Sequence, residues 1–277
     1  MKTPSNELFN LIKSLTPSEK VFFKQFSSRK TDRNNYVILF DSINQMKQYD
    51  EEAVKTKLKN QPFIKNLKQA KSYTIEAILK SLQEYHSTES VAAKLCNHIL
   101  QADILINKRL YPQARKIILK AEKIAREFSE HYYLGMLLSR KRALMLMESD
   151  QAGLKTFSEK EYPAELRNLD IIRNQIDFNN LDVQTIYTTN SRIAGKEGDD
   201  KKLNALLKHP LLQSEEKALS LPARLKYSNV MATVFTLRKD WAKSSSYLEE
   251  GILTLEKEPT SIKHNATIYF QLMGNLI

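Results

Sequence analysis

Five histidines, one cysteine and two short acidic clusters are the residues of this sequence whose chemistry could matter most. His86, His98, His131, His209 and His264 include no pair four apart and no HExxH pattern, so no zinc-binding helix face is offered. Cys96 is the only cysteine, which rules out a disulfide within the chain. It falls on an expected helix, where a thiol reads as a small apolar filler rather than a nucleophile. "AGKEGDD" lacks the preceding strand and the GK[ST] ending of a phosphate-binding loop, and no G-x-S-x-G elbow occurs. Asp50-Glu51-Glu52 and Asp199-Asp200 fall just before expected helices, where carboxylates complement the positive end of the helix dipole. No catalytic, cofactor-binding or metal-binding residue emerges, and the expectation is a protein that is not an enzyme and carries no cofactor.

Charge offers a second route to function. The formal net charge is +11, and the excess is uneven: residues 1–130 hold 23 basic and 14 acidic side chains, residues 131–277 hold 20 and 18. A basic first half fits an anionic partner such as a nucleic acid or an acidic protein surface. In "RLYPQARKIILKAEKIA", Arg115, Lys116, Lys120, Lys123 and Arg126 avoid the apolar positions and form a basic patch. Lys55, Lys57, Lys59, Lys65, Lys68 and Lys71 add to it. Nucleic-acid binding should also show exposed aromatics for stacking, yet Phe22, Phe26, Tyr111 and Phe235 fall on apolar stripes. The basic half therefore supports nucleic acid only as the alternative partner.

The elements that must position these residues are helical. An apolar fraction of 42% is too high for a disordered chain, and only 6 Gly and 8 Pro leave too few turns for an all-β or Rossmann fold. A first helix carries Leu8, Phe9, Ile12 and Leu15. In "SLTPSEKVFFKQFSSRK", Thr16 is the expected N-cap, Pro17 the first helical residue and Glu19 the closure of a capping box. Further helices follow through "YVILFDSINQM" and after Asp50, and a long run from Ile64 to Tyr85 is expected to bury Leu67, Ala70, Ile75, Ile78, Leu79 and Leu82. The link "SSRKTDRNN" is about twice the 3–4-residue turn of a helix-turn-helix reader, which argues against that motif.

From residue 90 the pattern becomes regular. "LCNHILQADILINKRLYPQARKIILKAEKIA" reads as a helix pair joined near Lys108–Tyr111, with Ala102 where two backbones approach and Tyr111, Ala114, Ile118 and Ala121 along the second helix. A second copy places Ala232, Phe235, Trp241, Ser244, Leu248 and Gly251 at the same mutual offsets, and Ala266 and Tyr269 repeat Ala232 and Phe235 after 34 residues. That spacing resembles the tetratricopeptide repeat. Leu134-Gly135 and Leu138 suit a further first helix, while residues 150–220, broken by Pro163, Pro210, Pro222 and "GKEGDD", read as divergent pairs. The chain is also similar in style to tetratricopeptide-repeat proteins of Bacteroidota-type bacteria, a likeness that brings no activity with it. The expected fold is all-α: a basic helical bundle or cap over 1–88, then an α-α superhelix, a tetratricopeptide-like solenoid of antiparallel helix pairs, over 89–277, clearest at 90–148 and 220–277.

What the resemblance implies is a scaffold that holds a partner peptide or helix in the concave groove formed by first helices. Its groove positions fall at Asp103, Lys226, Asn229, Thr233, Lys263 and Thr267. Val230 and Thr233 break the two-carboxylate clamp of chaperone-binding members. The lone cysteine, the missing signal peptide and the absence of an apolar run of roughly 18–20 residues point to a cytoplasmic protein with no membrane partner. "HNATIYFQLMGNLI" stops inside an expected first helix. The preferred reading is a truncated array; the other is an apolar end through which two copies associate.

Overall fold

The computed structural model describes residues 6–28, 34–148, 151–193, 199–257, 262 and 265–276. Among them it is all-helical, with no strand. By backbone contacts the chain divides into two compact units, Met1–Ala93 and Lys94–Ile277, the boundary falling inside a helix.

The first unit contains α1 (Glu7–Ser14), α2 (Pro17–Ser28), α3 (Asn34–Asn44), α4 (Glu51–Lys57) and α5 (Leu67–Tyr85). The capping box at α2 forms as its spacing predicts: Glu19 N–H donates to Thr16 Oγ1 (3.3 Å) and Thr16 N–H donates to Glu19 Oε2 (2.7 Å). Asp50 caps α4, its carboxylate accepting from the N–H groups of Glu52 and Ala53. Leu8, Ile12, Phe23, Phe40, Ile43 and Ile78 close the core, with the Phe23 and Phe40 rings 4.7 Å apart. One expectation for α5 fails. Leu79 is exposed, and the buried face instead includes Lys71, Thr74 and Ser81. These polar residues are tolerated because each has a partner: Thr74 and Ser81 hydroxyls return to backbone carbonyls of their own helix, and Lys71 reaches Glu51. Residues 29–33 of "SSRKTDRNN" lie outside the described residues.

The second unit begins with α6 (Val91–Asn107), α7 (Tyr111–Glu127) and α8 (His131–Met147). The turns after α6 and α7 share one geometry. Arg109 (φ 59°) and Ser129 (φ 54°) are left-handed, and the next residue's N–H returns to the carbonyl five positions back, Leu110 to Leu105 and Glu130 to Ala125. This is the Schellman closure, here made without glycine. Lys239 (φ 61°) repeats it between α12 (Leu221–Leu237) and α13 (Trp241–Glu256), with Asp240 N–H on Phe235 C=O. Contacts between α6 and α8 keep a constant offset of 37 residues, Cys96 to Tyr133 and Asp103 to Arg140, so these helices lie side by side and parallel.

The stretch expected as divergent pairs is mostly one long helix. After α9 (Gln151–Thr156) a single π-helical turn, Phe157–Glu161, leads into α10 (Tyr162–Ile193), and Tyr162 N–H bonds the Phe157 carbonyl. Pro163 was expected as a break; the wider π-turn just before it accommodates a ring that clashes with an α-helical carbonyl four residues back. Lys141 meets Glu161 and Arg142 meets Glu165, while His131 meets Asn168, so α10 runs back antiparallel to α8. Further along, Asn174 meets Lys217 and Asp182 meets Lys226, so the second part of α10 runs parallel to α12. Between them lies α11 (Asp199–Leu207) with two short 3₁₀ turns, one beginning at Pro210, and Pro222 opens α12 behind the Ser220 N-cap.

The small positions singled out as packing residues are buried: Ala102, Ala114, Ala121, Ala232, Ser244 and Gly251. At Gly251 a Cβ would stand 3.1 Å from Ser228 Cβ and 3.2 Å from Leu272 Cδ1, so α13 touches both α12 and α14 (Ala266–Leu276) through it. Trp241 departs from the pattern: it is 63% exposed, whereas its counterpart Tyr111, also the first residue of its helix, is half-buried.

Candidate functional site

The groove positions inferred from the resemblance are mostly engaged within the protein. Asp103 accepts both arms of the Arg140 guanidinium, at 2.6 and 2.7 Å, tying α6 to α8. Asp182 of α10 takes Lys226 Nζ on one oxygen (2.5 Å) and Asn229 Nδ2 on the other (3.0 Å), tying α10 to α12. Asn229 is buried, and its amide oxygen accepts from Asn275 of α14 (3.4 Å). Thr233 returns its hydroxyl to the Asn229 carbonyl. Thr267 is exposed, and Lys263 lies outside the described residues. The structure thus brings Lys226 and Asn229 together on a carboxylate that sequence spacing did not reveal.

Asp182 belongs to a larger pattern. The face of α10 turned into the unit is largely polar: Asn168, Asn174, Gln175, Asp182, Thr185, Thr188 and Ser191 are buried there beside Phe178 and Leu181. Asn168 exchanges bonds with the His131 carbonyl and ring. Asn174 bridges the Lys217 carbonyl and the Leu219 N–H, and Gln175 donates to Ser220 Oγ, the N-cap of α12. Each bond satisfies a group whose burial alone would cost about 1–3 kcal/mol. Such a helix leaves no amphipathic signature of the usual sense, so only its run of amides and hydroxyls could have hinted at it.

Beside this polar seam lies a cleft of about 260 Å³, lined among others by His131, Tyr132, Asn179, Pro222, Lys226 and Ile268. Tyr132 is exposed at its edge, and of the groove positions only Lys226 reaches it. A second depression is lined by Glu215, Arg224, Glu249, Glu250 and Lys257. Burial, then the nearby Glu215 charge, raises the Glu250 carboxyl above its ordinary value. Burial likewise raises the Tyr227 hydroxyl.

The five basic residues of α7 divide into two groups. Arg115 pairs with Glu148, and Arg126 pairs with Glu122, which also meets Lys141. Lys116, Lys120 and Lys123 stand exposed at i, i+4 and i+7, one open row on the solvent face. In the first unit Lys71 leaves the basic set altogether. It is buried, 2.8 Å from Glu51 and 3.1 Å from Tyr49 OH, and the ammonium lowers the Glu51 pKa. His86 joins the ends of two helices, meeting Glu89 within its own segment and Glu19 at the start of α2 (2.7 Å). Glu89 and then Glu19 raise the imidazole pKa.

Cys96 is exposed rather than a buried filler, its Sγ 3.8 Å from the Tyr133 hydroxyl. Asp199 and Asp200 begin α11 rather than precede it. On α14, Leu272 packs inward while Phe270 and Met273 face outward. Among the described residues there is no group of three or more His, Cys, Asp or Glu arranged to hold a metal, and no helix long and apolar enough to cross a membrane. No protein-family model, no curated protein and no solved structure matches this chain.

Proposed function

We propose that the protein is a non-enzymatic, cytoplasmic scaffold, similar to tetratricopeptide-repeat proteins, that binds a partner peptide or helix. The parallel register of α6 and α8 and the recurring Schellman turns support a stack of helix pairs. The observation that carries the binding reading is the cleft beside Lys226, lined by the apolar Pro222 and Ile268 together with Asn179 and Tyr132. Apolar area with a few placed amides suits a peptide backbone and one anchoring side chain. Two of its titratable groups are already occupied, His131 by Asn168 and Lys226 by Asp182, which favours binding over acid–base chemistry. A Tyr132→Ala/Asn179→Ala double variant tests this. Both residues stand exposed, so the fold should persist while a partner captured by the wild-type chain from native lysate is lost. An unchanged partner set defeats the assignment.

The open row Lys116, Lys120 and Lys123 favours a second reading, a nucleic-acid-associated regulator. Affinity for a polyanion should then fall steeply with salt, by roughly one counterion per phosphate contacted. No binding at about 50 mM salt, where electrostatic association is strong, removes that reading.

A further inference from the structure

The outward face of α10 is as unusual as its inward one. Tyr162, Leu166, Leu169, Ile176, Val183 and Tyr187 are 44–62% exposed. Together with Arg173 and Asn180 they recur at alternating steps of four and three along the helix. That alternation is the heptad seam of a coiled coil. A helix that turns amides inward and aliphatic side chains outward is partnered on one side only. At 32 residues it is about 48 Å long, at 1.5 Å per residue, so the seam is a continuous strip and not a patch.

We propose that this strip is the interface between two copies of the chain, with the two α10 helices antiparallel. Charge selects both the occupant and the direction. In a protein of net charge +11, α10 carries three Arg against four Asp and Glu, so the seam of a second copy meets little repulsion. Arg173 and Asp177 are both exposed, and among the described residues neither forms an ion pair. A parallel pair would set Arg173 against Arg173 at the same seam level. An antiparallel pair about a two-fold axis between Asn174 and Gln175 maps the seam onto itself: Tyr162 faces Tyr187, Leu166 faces Val183, and Leu169 faces Asn180. Arg173 then faces Ile176, and the second copy's Asp177 lies one residue further along, about 1.5 Å in axial level and within reach of the long arginine side chain. Two such ion pairs flank the axis, which is the self-complementarity an isologous interface requires. Area agrees. Six half-exposed side chains at roughly 100 Å² each give about 1,200 Å² over both copies, the lower bound of a specific interface. Lys202 Nζ lies 5.3 Å from the Tyr187 ring centre and covers one face of it, leaving the other for the pairing.

Sedimentation velocity or light scattering of the full chain tests the proposal, at a roughly 10 μM concentration where interfaces of this area associate. The wild type should be dimeric, and Ile176→Glu should raise the dimer dissociation constant by about 100-fold or more, since a charge would be buried against its copy. Because Ile176 is exposed, circular dichroism and thermal melting should show the variant folded. Arg173→Asp and Asp177→Arg should each weaken self-association, while an equimolar mixture of the two should restore a dimer. A monomeric wild type, including one that instead captures another protein through this face, overturns the proposal. So does a dimer indifferent to Ile176→Glu, or a mixture that fails to associate. None of these outcomes depends on the Tyr132 and Asn179 cleft, so the two readings fail separately.

Discussion

Helices α7 and α10 belong to the same unit and bury their surfaces by opposite means. α7 turns Ala114, Ile118, Ala121 and Ala125 inward and leaves Lys116, Lys120 and Lys123 in water. α10 turns Asn168, Asn174, Gln175, Asp182, Thr185 and Thr188 inward and leaves Leu169, Ile176 and Val183 outward. The first is held by apolar burial and close backbone approach, which tolerates variation in chemistry but not in size. The second adds to the burial of Phe178 and Leu181 a set of directional bonds, which tolerate neither a lost partner nor a moved one. The unit thus contains one helix whose inward contacts are largely hydrogen-bonded and whose exposed face is apolar.

The largest effect that could break this contrast is expected at the apolar seam. Ala121→Lys forces a long charged chain into a fully buried site and should cost about 3–5 kcal/mol by urea denaturation, whereas Lys120→Ala, one residue away on the solvent face, should be nearly silent. Equal stabilities for the two variants would mean that α7 does not pack as described. Next comes the polar seam. Asp182→Ala strands the Lys226 ammonium and the buried Asn229 amide, and a loss of about 2–4 kcal/mol is expected; Asp182→Asn, which still offers Asn229 an acceptor oxygen, should lose less. If both cost nothing, α10 is not held by its polar face.

A smaller change of opposite sign is expected at the turns. Lys239→Gly removes a side chain from left-handed backbone while the Asp240 N–H bond to the Phe235 carbonyl remains, so stability should rise by about 1 kcal/mol. A loss would show that the lysine side chain contributes more than its strain costs.

The smallest effect lies in the first unit, at the exposed contact of His86 with Glu19 and Glu89. His86 has a raised pKa, so its contribution is complete below its ordinary value near 6.5 and is lost as pH rises through the raised value. Glu19, held low by the Thr16 N–H and then by His86, contributes fully above its ordinary value of 4.5 and loses that contribution as pH falls through the lowered value. The contact therefore supports the first unit most between those two limits. His86→Ala should flatten a shallow decline in melting temperature above neutral pH; an unaltered profile would show that the pair contributes nothing measurable.

Much of the fold was legible in the residues because its causes are local. Thr16, Pro17 and Glu19 build a capping box from their own spacing, Asp50 caps α4 with its own carboxylate, and the small residues at Ala114, Ala121, Ser244 and Gly251 mark where backbones approach. The candidate site was less legible. Lys226 and Asn229 were marked by their positions on a first helix, yet their acceptor, Asp182, lies 44 and 47 residues away. Lys71 read as one more surface lysine until Glu51, 20 residues earlier, was placed beside it. Helical periodicity places Leu79 on the buried face, as the repeat offsets do Trp241, and both are exposed.

The sequence by itself determined that the chain is helical, where several helices begin, and that the excess of positive charge lies in its first half. Propensity, capping and composition act over a few residues, and a few residues are enough to read them. Only the tertiary structure decided which lysines remain free, which carboxylates hold helices together and which way α10 faces. Those outcomes depend on pairing between residues far apart in the chain, and a buried amide with a partner is as acceptable to the fold as a leucine without one.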